Sequence, residues 1–70
     1  MKAMKNIELK VSADDEDVAY LYLPGHPRKV EAGIVQKQVE LRKVITQYSG
    51  PDVFLDFNNE GKLIGIEILA

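Results

Sequence analysis

The clearest fold signal of this chain lies in residues 53–69, which read Val53-Phe54-Leu55-Asp56-Phe57-Asn58-Asn59-Glu60-Gly61-Lys62-Leu63-Ile64-Gly65-Ile66-Glu67-Ile68-Leu69. Two apolar runs, Val53–Phe57 and Lys62–Leu69, flank a cluster of turn-forming residues at 58–61. This spacing predicts two strands joined by a type I turn and a glycine in the left-handed region, which is a hairpin with a G1 bulge. Because Gly65 has no side chain, we expect the second strand either to bulge there or to admit another group closely.

Two further strands are predicted upstream of this hairpin. Ile7, Leu9 and Val11 alternate with polar residues, which indicates a strand over Lys5–Val11 with one buried face. Val18–Leu23 reads Val-Ala-Tyr-Leu-Tyr-Leu and is apolar on both faces, as expected for a central strand. The acidic run between these strands predicts a turn that makes them a hairpin.

The middle of the chain is compatible with two structures. We predict a strand over Ile34–Leu41 and a short helical turn near Val44–Tyr48. A helix over the whole of Val30–Tyr48 is the alternative, because apolar residues also recur there at helical spacing and Gly50-Pro51 would end such a helix.

These elements together predict a mainly β fold, with residues 1–70 forming a single small domain. We expect an antiparallel sheet of about five strands, a meander paired in chain order, with at most one short helical turn. A chain of 70 residues buries only about 60% of its unfolded surface, which leaves a lone sheet with an apolar face to cover. We therefore predict a homodimer. The interface residues that we expect are Tyr20, Tyr22, Ile64, Ile66 and Ile68.

The composition restricts the function classes. The absence of cysteine excludes disulfides, thiolate metal sites and cysteine nucleophiles. The net charge is -2 and the bases are dispersed along the chain, which argues against a nucleic-acid partner. No apolar run approaches the ~20 residues of a membrane span and no signal peptide is recognisable, so we expect no membrane association and a cytoplasmic location.

The sequence predicts no catalytic, metal-binding or cofactor-binding site. His26 is the only imidazole and lies between Gly25 and Pro27, without a recognisable nucleophile. Asp56 and Glu67 could meet across the last hairpin as paired carboxylates, but exposed strand acids more often serve solubility. We therefore expect a protein that is not an enzyme and that carries no cofactor.

Three loops have an alternative interpretation as ion-binding sites. Residues Asp14 to Asp17 lack the glycine and the closing glutamate of an EF-hand, and the second acidic turn, Asp56 with Asn58, Asn59 and Glu60, is too short to surround calcium. A phosphate could settle on the basic segment from Pro24 to Lys29. We interpret the first two as solvated turns and the third as a connection.

Three segments are similar in sequence to a known prokaryotic family, and they are Asp14–Leu23, Val39–Leu41 and Val53–Leu69. The chain resembles the family of domain of unknown function 2283, and the specific part is the C-terminal Asp-Phe-x-x-x-Gly-x-Leu-x-Gly-Ile-Glu-Ile-Leu pattern. The resemblance implies a compact β-sheet fold in a small cytosolic protein without assigned enzymatic activity. It carries over no site residues.

Three functional hypotheses follow. The first is a non-enzymatic module for protein interaction or self-association, which uses an apolar sheet face and the Tyr20–Tyr22 pair. The second is an antitoxin-like regulator that binds a small toxin encoded beside it, which only the family resemblance implies. The third is a metal-dependent or small-molecule enzyme that would use Asp56, Glu67 and His26.

Overall fold

The computed structural model describes residues 7–28 and 33–70. These residues form five strands and one short helix, as the sequence predicts. In chain order they are β1 (Glu8–Val11), β2 (Val18–Tyr22), β3 (Lys37–Glu40), α1 (Leu41–Val44), β4 (Asp52–Phe57) and β5 (Leu63–Leu69). All neighbouring strands pair antiparallel in a five-stranded sheet. The predicted mainly β fold is confirmed.

The strand order differs from the predicted meander. The sheet has the order β1-β2-β5-β4-β3, so β2 pairs with β5 and the predicted pairing of β2 with β3 is wrong. The physical reason lies in β5, which is the longest strand and has apolar residues on both faces. A strand of this kind is most stable at the centre of a sheet, where both of its edges are paired. The connection after β2 therefore carries the chain to the far edge of the sheet.

The middle of the chain contains both a strand and a helical turn. The predicted strand Ile34–Leu41 is shorter in the structure, where β3 spans Lys37–Glu40. The helical turn begins at Leu41 rather than near Val44, and its closing hydrogen bond runs from the Ile45 amide to the Leu41 carbonyl. It starts earlier because the chain must already reverse there to return as β4. The alternative of a continuous helix over Val30–Tyr48 is wrong for its described residues, since β3 is extended.

The remaining predicted strands are confirmed with small changes at their ends. β2 ends one residue before the predicted Leu23, β4 begins at Asp52, and β5 begins at Leu63. Within the predicted strand Lys5–Val11, only Glu8–Val11 is extended and paired. Its first two residues lie outside the described ranges.

The β4–β5 hairpin has the predicted turn. The Gly61 amide donates to the Asn58 carbonyl at 3.0 Å, and Gly61 has a φ of 79°, in the left-handed region. The pairing of β4 with β5 shifts by one residue next to this turn, because Asp56 pairs with Gly65 whereas Phe57 pairs with Leu63. Ile64 is therefore an extra residue on β5, which confirms the bulge expected beside Gly65.

The fully buried part of the sheet is very small. Among the described residues, Ile64 is the only large apolar side chain that is fully buried, and its side chain lies near Gly25 of the loop after β2. Asp56 is also buried, with 4% of its surface exposed. Most other strand residues are half-buried, because one layer of sheet shields each side chain only from its sides.

Candidate functional site

The strand register divides the side chains between two faces of different chemistry. Successive side chains of a strand point to opposite faces, and directly paired residues share a face. One face, which we call the aliphatic face, carries two rows that cross the sheet from β1. The first row is Leu9, Leu21, Ile66, Leu55 and Val39, and the second is Val11, Ala19, Ile68 and Val53. These nine side chains are all aliphatic.

None of the nine side chains of the aliphatic face is fully buried in the described structure. Leu9 exposes 60% and Val11 exposes 52% of its surface, and the other seven are half-buried. Two further apolar side chains, Val44 of α1 and the following Ile45, are exposed at 61% and 48%. The aliphatic rows therefore form a contiguous apolar surface that is only partly shielded from water.

The opposite face, which we call the polar face, contains a hydrogen-bonded cluster around Asp56. The Tyr20 hydroxyl donates to Oδ2 of Asp56 at 2.8 Å, and the Gln38 amide donates to Oδ1 at 2.8 Å. Both carboxylate oxygens therefore have a partner, as a buried charge requires. Burial raises the pKa of Tyr20 above its ordinary value, and the hydrogen bond and negative charge of Asp56 raise it further.

Gly65 makes this cluster geometrically feasible. A Cβ atom built at Gly65 would lie 1.9 Å from the Tyr20 hydroxyl oxygen and 2.4 Å from its Cζ atom. The tyrosine ring therefore occupies the space that any other residue at position 65 would fill. This is the close approach of another group that the lone glycine in β5 predicts.

His26 joins the polar face from the loop after β2. Its ring makes edge contacts with Tyr22 and Tyr20, with centroids 4.8 Å and 5.7 Å apart, and the two tyrosines are 4.9 Å apart. The Arg28 backbone amide donates to Nδ1 of His26 at 2.8 Å, so this nitrogen carries no proton. Burial lowers the pKa of His26 and the positive charge of Arg28 lowers it further, while Asp56 acts in the opposite direction.

The five predicted interface residues do not form one surface. Tyr20 and Tyr22 lie on the polar face, whereas Ile66 and Ile68 lie on the aliphatic face. Ile64 is completely buried within the chain and is not available to a partner. The side chain of Ile64 lies beside Gly25 of the loop after β2, which contributes to this burial.

Asp56 and Glu67, the two carboxylates considered as a catalytic pair, are not directly opposite each other in the sheet. Asp56 and Glu67 share the polar face, but Asp56 is opposite Gly65 and Glu67 is opposite Phe54. The carboxylate of Asp56 is occupied by Tyr20 and Gln38. No group of three metal-ligating side chains is found in residues 7–28 and 33–70.

Each of the two acidic turns is stabilised by hydrogen bonds from its backbone amides to side-chain oxygens of the same turn. In the first, Ser12 Oγ accepts from the amides of Asp14 and Asp15, and the Asp15 carboxylate accepts from the Asp17 amide. In the second, Oδ1 of Asn58 accepts from the amides of Glu60 and Lys62. These contacts are those of ordinary side-chain-capped turns. The basic loop is also engaged, since Arg28 pairs with Glu8 at 3.3 Å, while Lys29 lies outside the described residues.

The aliphatic face continues into a cleft at the end of the sheet near the β4–β5 turn. The cleft has a volume of about 490 Å³, and Val39 and Phe57 line it together with polar residues. Those polar residues are Gln36, Lys37, Asn58 and Asn59. The apolar surface of the sheet is therefore bordered by polar side chains at this end.

The sequence alone did not identify Gln38 as a partner of Asp56, and it identified only two residues of the aliphatic face, Ile66 and Ile68, as surface residues. Gln38 contacts Asp56 only because β3 lies beside β4, and neither residue indicates the other in the sequence. The aliphatic residues alternate correctly within each strand, but their arrangement in continuous rows depends on the β2–β5 pairing. Only the register of β2 against β5 shows that Tyr20 and Ile66 lie on opposite faces of the sheet.

The geometry of the described residues defines a small antiparallel β-sheet protein with one aliphatic and one polar face. The chain belongs to the family described as Protein of unknown function (DUF2283), whose family model matches residues 14–70. The predicted family membership is thereby confirmed. No curated protein and no solved structure matches the chain. Within the described residues, none of the helical structure has the length and apolar character needed to cross a bilayer.

Proposed function

We propose that this protein is a non-enzymatic interaction module that binds a protein partner through its aliphatic face. The observation that carries the proposal is the pair of uninterrupted aliphatic rows across the sheet, none of whose nine side chains is fully buried. Exposing such a surface to water costs roughly 25 cal/mol for each Å² of apolar area, so covering it stabilises the complex.

The contacts on the polar face support a structural role for the residues considered as catalytic. Asp56 accepts hydrogen bonds at both oxygens, and Nδ1 of His26 accepts the Arg28 amide. Asp56 is also buried, with 4% of its surface exposed, so a substrate has little access to its oxygens. These engaged groups hold strands and a loop together, which is consistent with a protein that acts by binding.

Photo-crosslinking in the native host tests the proposal. A benzophenone amino acid replaces either Leu9 or Lys10, which are adjacent, exposed and on opposite faces of edge strand β1. We expect covalent protein adducts, identified by mass spectrometry, from position 9 and few from position 10. The absence of adducts from position 9, or stronger adducts from position 10, would contradict the proposal.

The same experiment examines the antitoxin hypothesis, which rests on the family resemblance alone. An adduct between position 9 and the product of a neighbouring toxin-like gene would support this specific form of the function. A gene without such a neighbour would leave the antitoxin hypothesis without motivation.

A further inference from the structure

We propose that the cleft beside the β4–β5 turn receives a large apolar side chain of the protein partner, while an acidic residue of the same partner segment pairs with Lys37. The inference rests on the proposed function, because it names the chemistry of the partner at one end of the aliphatic face. It gives a charged feature to a surface whose two rows are otherwise aliphatic.

The cleft lies on the aliphatic side of the sheet, at the edge formed by β3. Lys37 pairs directly with Phe57, and these two residues are each two positions from the Val39–Leu55 pair of the aliphatic face. Side chains two positions apart in a strand share a face, so Lys37 and Phe57 lie on the same side of the sheet as Val39. A partner that covers the aliphatic rows therefore also reaches this cleft.

The size and the lining of the cleft fit a bulky apolar group. Its volume of about 490 Å³ lies in the range of pockets that hold small organic groups, roughly 300–1,000 Å³. Val39 and Phe57 are its large apolar lining residues, and both are half-buried, so water still reaches them. An apolar side chain that fills a central pocket contributes much of the affinity of a protein interface, and an aromatic one also gains contact with the Phe57 ring.

The charge of the cleft determines what must lie beside this apolar group. Lys37 is the one charged residue among those that line the cleft, and Glu60 of the adjacent turn does not line it. Lys37 is exposed, and its ammonium group makes no hydrogen bond or salt bridge within residues 7–28 and 33–70. An ammonium group at the border of an apolar surface attracts an anionic group. In a protein segment, the side chains that supply this charge are those of aspartate and glutamate.

An NMR titration of the isotope-labelled full chain tests the proposal with two isosteric peptides, acetyl-Phe-Glu-amide and acetyl-Phe-Gln-amide. The peptides differ by one charge, so the difference in their affinities measures the contribution of the carboxylate. We expect chemical-shift changes at the backbone amides of Lys37, Val39, Phe57 and Asn59. The dissociation constant of the glutamate peptide should be about threefold lower, as expected for a solvent-exposed ion pair.

Lys37→Gln should remove the preference for the glutamate peptide, and Lys37→Arg should retain it. Lys10→Gln is the matched control, because Lys10 is also an exposed lysine of an edge strand but lies in β1 on the polar face. Raising the salt concentration to about 0.5 M should also weaken the preference in the wild type, since salt screens exposed charges. This last measurement does not depend on the folding of any variant.

The proposal would be overturned by equal affinities of the two peptides, by a preference that survives in Lys37→Gln, or by tighter binding of acetyl-Phe-Lys-amide. The absence of shift changes at the cleft amides with millimolar peptide would also overturn it. A chain that self-associates through the cleft and takes up neither peptide would assign the cleft to a second copy instead.

Failure of the inference and failure of the proposed function remain distinguishable, because position 9 lies in β1 at the opposite edge of the sheet. Adducts from position 9 without a preference for the glutamate peptide would retain the interaction module and overturn the acidic anchor. A glutamate preference at the cleft without adducts from position 9 would retain the cleft site and contradict the wider interface.

Discussion

At the scale of single residues, Gly65 and Tyr20 form the most specific contact of the polar face. The tyrosine ring lies where a Cβ atom of residue 65 would be, and its hydroxyl is fixed by the buried carboxylate of Asp56. Glycine is therefore required at this position by the neighbouring side chain, since its φ lies outside the left-handed region. The contact also aligns β2, β5 and β4, because each of the three residues belongs to a different one of these strands.

Gly65→Ala should destabilise the protein by about 1–3 kcal/mol, the usual cost of overpacking a tight site. The added methyl group displaces the Tyr20 ring and weakens its hydrogen bond to Asp56. Urea denaturation measures the change in the free energy of unfolding. The control is the same substitution in a Tyr20→Leu background, where the cost should largely disappear. An equal cost in both backgrounds would mean that the ring is not the cause.

His26 should make the stability depend on pH. Its pKa is lowered in the folded protein, so between that value and about 6.5 the unfolded state binds more protons. The stability contributed by neutral His26 is therefore present above pH 6.5 and is lost as the pH falls. Protonation would also break the hydrogen bond that Nδ1 accepts from the Arg28 amide.

Urea denaturation at pH 7.5 and pH 5.5 measures this loss. His26→Asn is the comparison, because the amide oxygen can still accept a hydrogen bond but does not titrate in this range. We expect a smaller difference between the two pH values in the variant. Equal differences in both proteins would assign the pH dependence to other groups.

At the scale of elements, the β4–β5 hairpin depends on one of its two adjacent asparagines. Asn58 accepts two backbone hydrogen bonds, at 2.9 and 3.0 Å, whereas the Asn59 side chain makes none within the described structure. Asn58→Ala should therefore cost about 1–2 kcal/mol of stability, from two lost hydrogen bonds. Asn59→Ala is the matched control, and thermal unfolding monitored by circular dichroism compares them. A cost at Asn59 equal to that at Asn58 would contradict this account of the turn.

The hairpins could be predicted because their information is local. Asn58 and Gly61 lie within four residues of each other and specify the turn before any distant contact forms. The β2–β5 pairing could not be predicted in this way, because no short-range signal indicates that Tyr20 meets Glu67. The Asp56–Gln38 bond depends on a second distant pairing, that of β3 with β4. The interface prediction combined Tyr20 with Ile66 for the same reason.

At the scale of the whole molecule, the limiting feature is a sheet whose aliphatic face lacks a second layer in the described structure. A bound protein partner that supplies this layer stabilises the folded chain by mass action. The midpoint of thermal unfolding should therefore rise when the partner identified by crosslinking is added. A partner at about one hundred times its dissociation constant adds about 2.7 kcal/mol to the apparent stability.

Differential scanning calorimetry with and without that partner provides this measurement. We expect the midpoint of the wild type to move upward by several degrees, and that of Leu9→Glu to move much less. Equal shifts in both proteins would place the partner on another surface.

The central claim is that the aliphatic face binds a protein partner, and photo-crosslinking in the native host tests it most directly. We predict covalent protein adducts from a benzophenone amino acid at position 9 and few from the same group at position 10, because Leu9 and Lys10 lie on opposite faces of β1. No adducts from position 9, or stronger adducts from position 10, would contradict the account.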